Sequence, residues 1–178
     1  MALSTSEIAD QAAYKWGAVS FFTATAIIIS AFAFEHIGGY EPCELCLQQR
    51  YSYYIGVPTS LIALILIGLE KHKVAAALFF LVSLIFLANV VLSSYHAGFE
   101  WGFWDGPETC RLRHLEPLIN PDKGILSFLE DIRESACGFA TWRYLGLSFA
   151  GWNAIFCIAL TISCIKTTYC IKRMIRIR

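Results

Sequence analysis

Four runs of the chain, residues 17–34, 51–69, 74–95 and 144–165, contain no charged side chain, and polar residues gather between them. A helix needs about 20 predominantly apolar residues to cross a bilayer, and each run is close to that length. Hydrocarbon offers no partner to backbone N–H and C=O groups, so each run is expected to be an α-helix. The pattern predicts an all-α integral membrane protein, a four-helix transmembrane bundle forming a single domain over residues 1–178. The connection at 70–73 is short enough to force a tight antiparallel turn. The other two, 35–50 and 96–143, are expected to form loops on one common face.

Composition agrees with that class. Hydrophobic residues make up 57% of the chain and charged residues 16%, against about 25% charged in a soluble domain. The mean hydropathy is +0.55. Charge then sets the orientation, because Lys and Arg favour the cytoplasmic side. Eight basic residues, Lys15, Lys71, Lys73, Lys166, Lys172, Arg173, Arg176 and Arg178, lie on one side in short segments. Six others are spread over the two longer loops, which also hold eleven of the fourteen acids. Both termini are therefore expected in the cytoplasm and both loops outside, in the periplasm of a Gram-negative cell, where disulfides persist. Ser30-Ala-Phe-Ala33 has the small residues of a signal-peptide cleavage site, but the leader carries Glu7, Asp10 and a single lysine. Its acidity argues that the first span is retained.

Four of the seven cysteines fall in the two outer loops. Cys43 and Cys46, in Pro-Cys-Glu-Leu-Cys, are three residues apart, which places both sulfurs on one side of a first helical turn. Pro42 suits a helix start, and the unpaired N–H groups there favour a nearby thiolate. Arg50, four residues beyond Cys46, is expected on the same face, where its charge would lower a thiol pKa and polarise a carbonyl oxygen. A zinc site needs two further ligands, and Cys110 and Cys137, 27 residues apart, do not form a second knuckle. A redox pair on the oxidising side is the better reading, and no metal is expected.

Within the longer loop Ile125, Phe128, Leu129 and Ile132 repeat with helical period, with Glu130, Asp131, Arg133 and Glu134 opposite. A short amphipathic interfacial helix is expected there, and Phe99, Trp101, Phe103 and Trp104 form an aromatic cluster suited to headgroup level. Anchoring of this kind keeps Cys110 and Cys137 within reach of the first loop. Cys157 and Cys164 read as small apolar residues on one face of the fourth span, and Cys170 as a free thiol in the basic tail. His36 and His96 stand where spans meet the outer surface, and either suits a proton donor to a bound carbonyl. His72 and His114 read as solvated loop residues.

Phe34-Glu35-His36, Pro42-Cys-Glu-Leu-Cys46, Arg50, Cys137, Trp142-Arg-Tyr-Leu-Gly-Leu-Ser148 and Gly151-Trp152 resemble the bacterial disulfide bond formation protein B (DsbB) family, nearly the whole chain agreeing in order and spacing. The resemblance implies an inner-membrane protein-disulfide oxidoreductase that passes electrons from a DsbA-like periplasmic thioredoxin-fold protein to a membrane quinone, ubiquinone or menaquinone. It also implies that Cys110–Cys137 is the disulfide attacked by the partner, with Cys110 forming the mixed disulfide. Cys43–Cys46 would reoxidise that pair through a Cys43–Cys110 bridge, and Cys46 would face the quinone as thiolate beside Arg50. His96 matches a position near the quinone, and His36 joins it as a candidate. Two other functions fit parts of the pattern. One is a vitamin K epoxide reductase-like enzyme, where the Cys-x-x-Cys follows the loop thiols instead of preceding them. The other is a non-catalytic scaffold with structural disulfides, which leaves Arg50 unexplained. No nucleotide motif is present, and nucleic acid is not an expected partner.

Overall fold

The computed structural model describes residues 5–40, 42–106 and 143–177. Four helices carry the fold: α1 (Thr5–His36), α2 (Glu44–Gly68), α3 (His72–Glu100) and α4 (Phe149–Ile177). All are long and apolar enough to cross a membrane. A two-stranded antiparallel hairpin, β1 (Arg143–Tyr144) and β2 (Leu147–Ser148), immediately precedes α4. The chain is a multi-pass membrane protein.

The helices close into a ring in which α1 packs on α2, α2 on α3, α3 on α4 and α4 back on α1. Ion pairs and hydrogen bonds fix which ends lie together. Glu35 near the end of α1 meets Arg50 near the start of α2, and Glu100 at the end of α3 meets Ser148 just before α4. At the opposite end Ser163 of α4 donates to the Trp16 carbonyl of α1 at 3.0 Å, and Lys166 lies 4.4 Å over the Trp16 ring. The path is up-down-up-down.

Small side chains let the helices approach: Ala13, Ala24, Ala63 and Ala75 are buried beside Phe79 and Phe86. Without a hydrophobic drive inside lipid, such close packing is what holds helices together. Gly56 shows how close it is, since a Cβ there would stand 2.9 Å from the Phe86 ring. Large apolar residues such as Phe22, Ile29, Ile62, Leu84, Val91 and Ile158 face outward, where lipid would solvate them. Buried hydroxyls at Ser20, Thr161, Thr167 and Thr168 bond back to carbonyls four residues earlier on their own helices.

The helices outrun the apolar runs that announced them. Arg50 and His96, read as loop residues, lie inside α2 and α3, and His72 opens α3. The segment after Ile165, read as a tail, continues α4, because Ile171 and Met174 extend the buried stripe of Cys164 and Thr167. The fourth span begins later than expected. Residues 144–148 form the hairpin instead of helix, since Leu145 (φ 53°) and Gly146 (φ 83°) both take left-handed backbone. That pair makes a two-residue turn of the kind whose twist matches antiparallel strands. The expected helix around Ile125–Ile132, with His114, Cys110 and Cys137, lies outside the described residues.

Candidate functional site

Cys43 is the N-cap of α2. Its extended backbone (φ −73°, ψ 168°) turns Sγ back to accept from the Cys46 N–H at 3.3 Å, the part a Ser or Asp oxygen usually plays. Cys46 follows on the first turn, and the two sulfurs stand 3.0 Å apart as free thiols. Pro42 precedes the cap. Leu45, Leu92 and Phe99 pack around the pair, and Cys43 is buried.

α3 brings the third member. His96, 1% exposed, places Nε2 3.7 Å from Cys43 Sγ and 3.7 Å from a carboxylate oxygen of Glu100, one turn further along the same helix. Glu100 in turn accepts from the Ser148 hydroxyl, whose oxygen accepts the Gly151 N–H at 3.3 Å and so caps α4. Arg143 of β1 reaches the Glu100 backbone carbonyl at 3.4 Å. The thiol pair, the imidazole and the carboxylate thus occupy the end of the bundle where α1 finishes and α2 starts.

The electrostatics favour an anion at the cap. The hydrogen bond from the Cys46 thiol outweighs the opposing effect of burial, and with those from His96 and the Cys46 N–H it lowers the Cys43 thiol from the ordinary thiol range to about 5. The unpaired N–H groups of the first helical turn act in the same direction. These effects favour the anion at Cys43 in the reduced pair.

The remaining expected residues are placed differently from one another. Arg50 bonds to the Glu35 carboxylate across the α1–α2 interface, and its guanidinium lies 5.4 Å over the Phe32 ring. His36 is exposed and stacks on the same Phe32 ring, with centroids 6.0 Å apart. These two form a rim beside the thiols, whereas His96 touches them. The aromatic cluster divides: Phe99 packs at the thiol pair, while Trp104 stacks on Tyr95 at 5.8 Å and stays half exposed with Trp101 and Phe103.

Sequence reading missed Gln49, Tyr53, Asn89, Glu100 and Asn153. Gln49 bonds to His96 Nδ1 at 3.0 Å, and Asn153 donates to Gln49 Oε1 at 2.8 Å. Tyr53 meets Asn153 Oδ1 at 2.5 Å, and Asn89 donates to the Gln49 carbonyl at 3.2 Å. A signal for the asparagines was present, since an amide inside an apolar span is costly and therefore functional by default. Glu100 had one too, four residues from His96 on the same face.

The family model for "Disulfide bond formation protein DsbB" matches residues 14–166. The chain belongs to the DsbB family. Among its relatives are the "Disulfide bond formation protein B" of Marinobacter nauticus, 27% identical over 76% of this chain and 80% of the relative. Another of that name, from Methylococcus capsulatus, is 26% identical over 80% of this chain and 85% of the relative. The uncharacterised protein RP370 of Rickettsia prowazekii is 27% identical over 84% of each chain. No solved structure matches the chain. Membership of the DsbB family makes this a membrane protein of disulfide bond formation.

Two kinds of bound group bear on the donors present. Sγ of Cys43, Sγ of Cys46 and a ring nitrogen of His96 lie within 4.8 Å of one another, a three-donor set. Closed structural zinc sites use four donors, one more than this set supplies. For a quinone head the residues are suitable: Arg50 and His96 carry N–H donors for carbonyl oxygens, and Phe32, Leu92 and Phe99 offer apolar surface.

Proposed function

We propose that the chain is a quinone-dependent protein-disulfide oxidoreductase of the bacterial inner membrane, with both termini cytoplasmic and the thiol-bearing end periplasmic. It reoxidises a DsbA-like dithiol. The partner's two thiols become a disulfide, and their two electrons pass through Cys110–Cys137 to Cys43–Cys46. A membrane quinone supplies the final oxidant, taking two electrons and two protons to become a quinol.

One observation carries this reading: a Cys43–Cys46 pair at a helix cap, its cap sulfur buried against His96, at the membrane end of a DsbB-family bundle. Cys43, the stabilised thiolate and good leaving group, suits the sulfur that exchanges with the second pair. Once Cys43 is bridged, Cys46 is left as the lone sulfur of the cap turn, so the Cys46 thiolate implied by the resemblance belongs to that later state. His96 holds or yields a proton at Nε2, Arg50 orients a carbonyl oxygen, and Phe99 with Leu92 keeps water from the sulfurs. His36 belongs to the Arg50 side of the same rim.

Purified protein mixed with a reduced thioredoxin-fold dithiol oxidase and ubiquinone is expected to yield one quinol per dithiol oxidised, and Cys43→Ser or Cys46→Ser to yield none. Absence of quinol formation with either ubiquinone or menaquinone overturns the reading.

A further inference from the structure

The thiol site does not end at His96. A continuous chain of side chains runs inward from it, crossing from α3 to α2 to α4: His96 Nδ1 to Gln49 Nε2 (3.0 Å), Gln49 Oε1 to Asn153 Nδ2 (2.8 Å) and Asn153 Oδ1 to the Tyr53 hydroxyl (2.5 Å). Asn153 Nδ2 also meets Ser93 Oγ at 2.8 Å. Tyr53 and Asn89 each come within 3.3 Å of the Cys157 sulfur. Gln49, Asn89, Ser93 and His96 are all at most 5% exposed. Elsewhere in the bundle, buried hydroxyls such as Thr161, Thr167 and Thr168 bond within their own helices. Here three helices commit side-chain amides to one another, at a depth where unsatisfied polar groups are costly.

We propose that Asn153 and Gln49 are positioning residues of the DsbB reaction, an amide relay that holds His96 as the tautomer with its proton on Nε2, aimed at Cys43. The argument is one of donor direction. A neutral imidazole has one N–H and one acceptor nitrogen, and the partner of the first fixes the role of the second. Asn153 gives its N–H to Gln49 Oε1, so Gln49 can only turn its own NH₂ to His96. Nδ1 is then the acceptor, and Nε2 carries the hydrogen toward Cys43 Sγ and Glu100. The Tyr53 hydroxyl, donating to Asn153 Oδ1, fixes the far end of the relay. His96 donates to the Cys43 thiolate as a neutral ring, since a proton on Nδ1 would meet the Gln49 N–H head-on. Among the described residues, the titratable and charged groups around this ring and its relay are Cys43, Cys46 and Tyr53 of α2, Glu100 of α3, Cys157 of α4 and Arg143 of β1, which acts through Glu100.

The proposal rests on the redox reading of the site, and its test needs neither partner nor quinone. In reduced full-length protein, alkylation of Cys43 is followed against pH by mass spectrometry of the labelled peptide. The parent is expected to show one transition between pH 4 and 9, that of the thiol itself. Gln49→Leu removes the lock, and the midpoint is expected to rise by about one pH unit, the share of one hydrogen bond to the charged form. Gln49→Glu, nearly isosteric, reverses the direction: its carboxylate accepts from Nδ1–H, the imidazolium becomes available, and a second transition is expected in the histidine range, near pH 6.5. Asn153→Leu leaves every neighbour of the sulfurs in place and frees the Gln49 amide to rotate, so it is expected to shift the midpoint in the same direction as Gln49→Leu. Unchanged single transitions in folded Gln49→Leu and Gln49→Glu, or two transitions in the parent, overturn the relay. Quinol formation by the parent tests the redox reading separately.

Discussion

Arg50, one turn beyond Cys46, pairs with Glu35 on the neighbouring helix. A cation four residues from Cys46 is thereby held by α1, its guanidinium over Phe32. The Cys43 anion is supported by the Cys46 thiol, His96 and the helix cap. In the proposed reaction the two tasks, stabilising the anion and receiving a carbonyl oxygen, fall to separate residues.

That separation predicts different phenotypes. Arg50→Met is expected to raise the KM for ubiquinone while leaving the pH midpoint of Cys43 alkylation unchanged. Glu35→Gln loosens the arginine without removing it, so its KM is expected to rise by less, up to about fivefold for a pair of roughly 1 kcal/mol. Steady-state kinetics with ubiquinone, run beside the alkylation titration, decide both.

The Cys43 thiol is lowered to about 5, chiefly by the hydrogen bond from Cys46. Because the folded value is depressed, the thiolate contributes stability that is full above the unfolded value and is lost as pH falls toward 5. Alkylation of Cys43 in the reduced protein is expected to be flat from pH 8 to 6 and to halve near pH 5. An ordinary thiol, with a pKa of about 8.5, would lose about tenfold per unit across that range. Cys46→Ala removes the main donor, and the midpoint is expected to move up.

For the second pair, Cys137→Ser is expected to accumulate a covalent complex with the thioredoxin-fold partner, because the resolving thiol is gone. Cys110→Ser is expected to accumulate none. Non-reducing electrophoresis after mixing reads the difference, and complexes with both variants would reverse the assignment.

Tyr53→Phe deletes the hydroxyl between Asn153 and Cys157 while keeping the ring against Phe86. Interhelical hydrogen bonds in membrane bundles are worth about 0.6 kcal/mol on average, up to roughly 1.7. A loss near the upper end is expected, since the Asn153 oxygen is left to the weak Cys157 thiol. Reversible unfolding in mixed detergent measures it.

Much of this was legible in the chain, for reasons that also explain the gaps. Charge-free runs reveal which residues lipid must solvate, so four spans followed directly. They do not mark where helices stop, since α1 begins at Thr5 and α4 carries Lys166, Lys172 and Arg173 along its exposed side. The Pro-Cys-Glu-Leu-Cys motif announced a helix start, and Cys43 is that cap. Gln49 could not be told from Gln48 by pattern, because only the approach of α3 and α4 gives one of them a histidine and an asparagine to bond. Leu145 carries no turn signal of its own; its left-handed backbone follows from the hairpin it must close with Gly146.

The bond between Ser148 and Glu100 does more than cap α4. It fastens together the two points from which the long outer segment leaves and returns, so that segment is tethered at both ends beside the Cys43 site. Cys110 is ten residues from Glu100 and Cys137 eleven from Ser148, distances of at most about 35–40 Å along a fully extended chain. Confinement on that scale corresponds to an effective concentration in about the millimolar range, at which the proposed exchange between the two pairs would run within one chain. Cutting the tether at Ser148, with every cysteine retained, would act on how often the sulfurs meet and not on how readily they react.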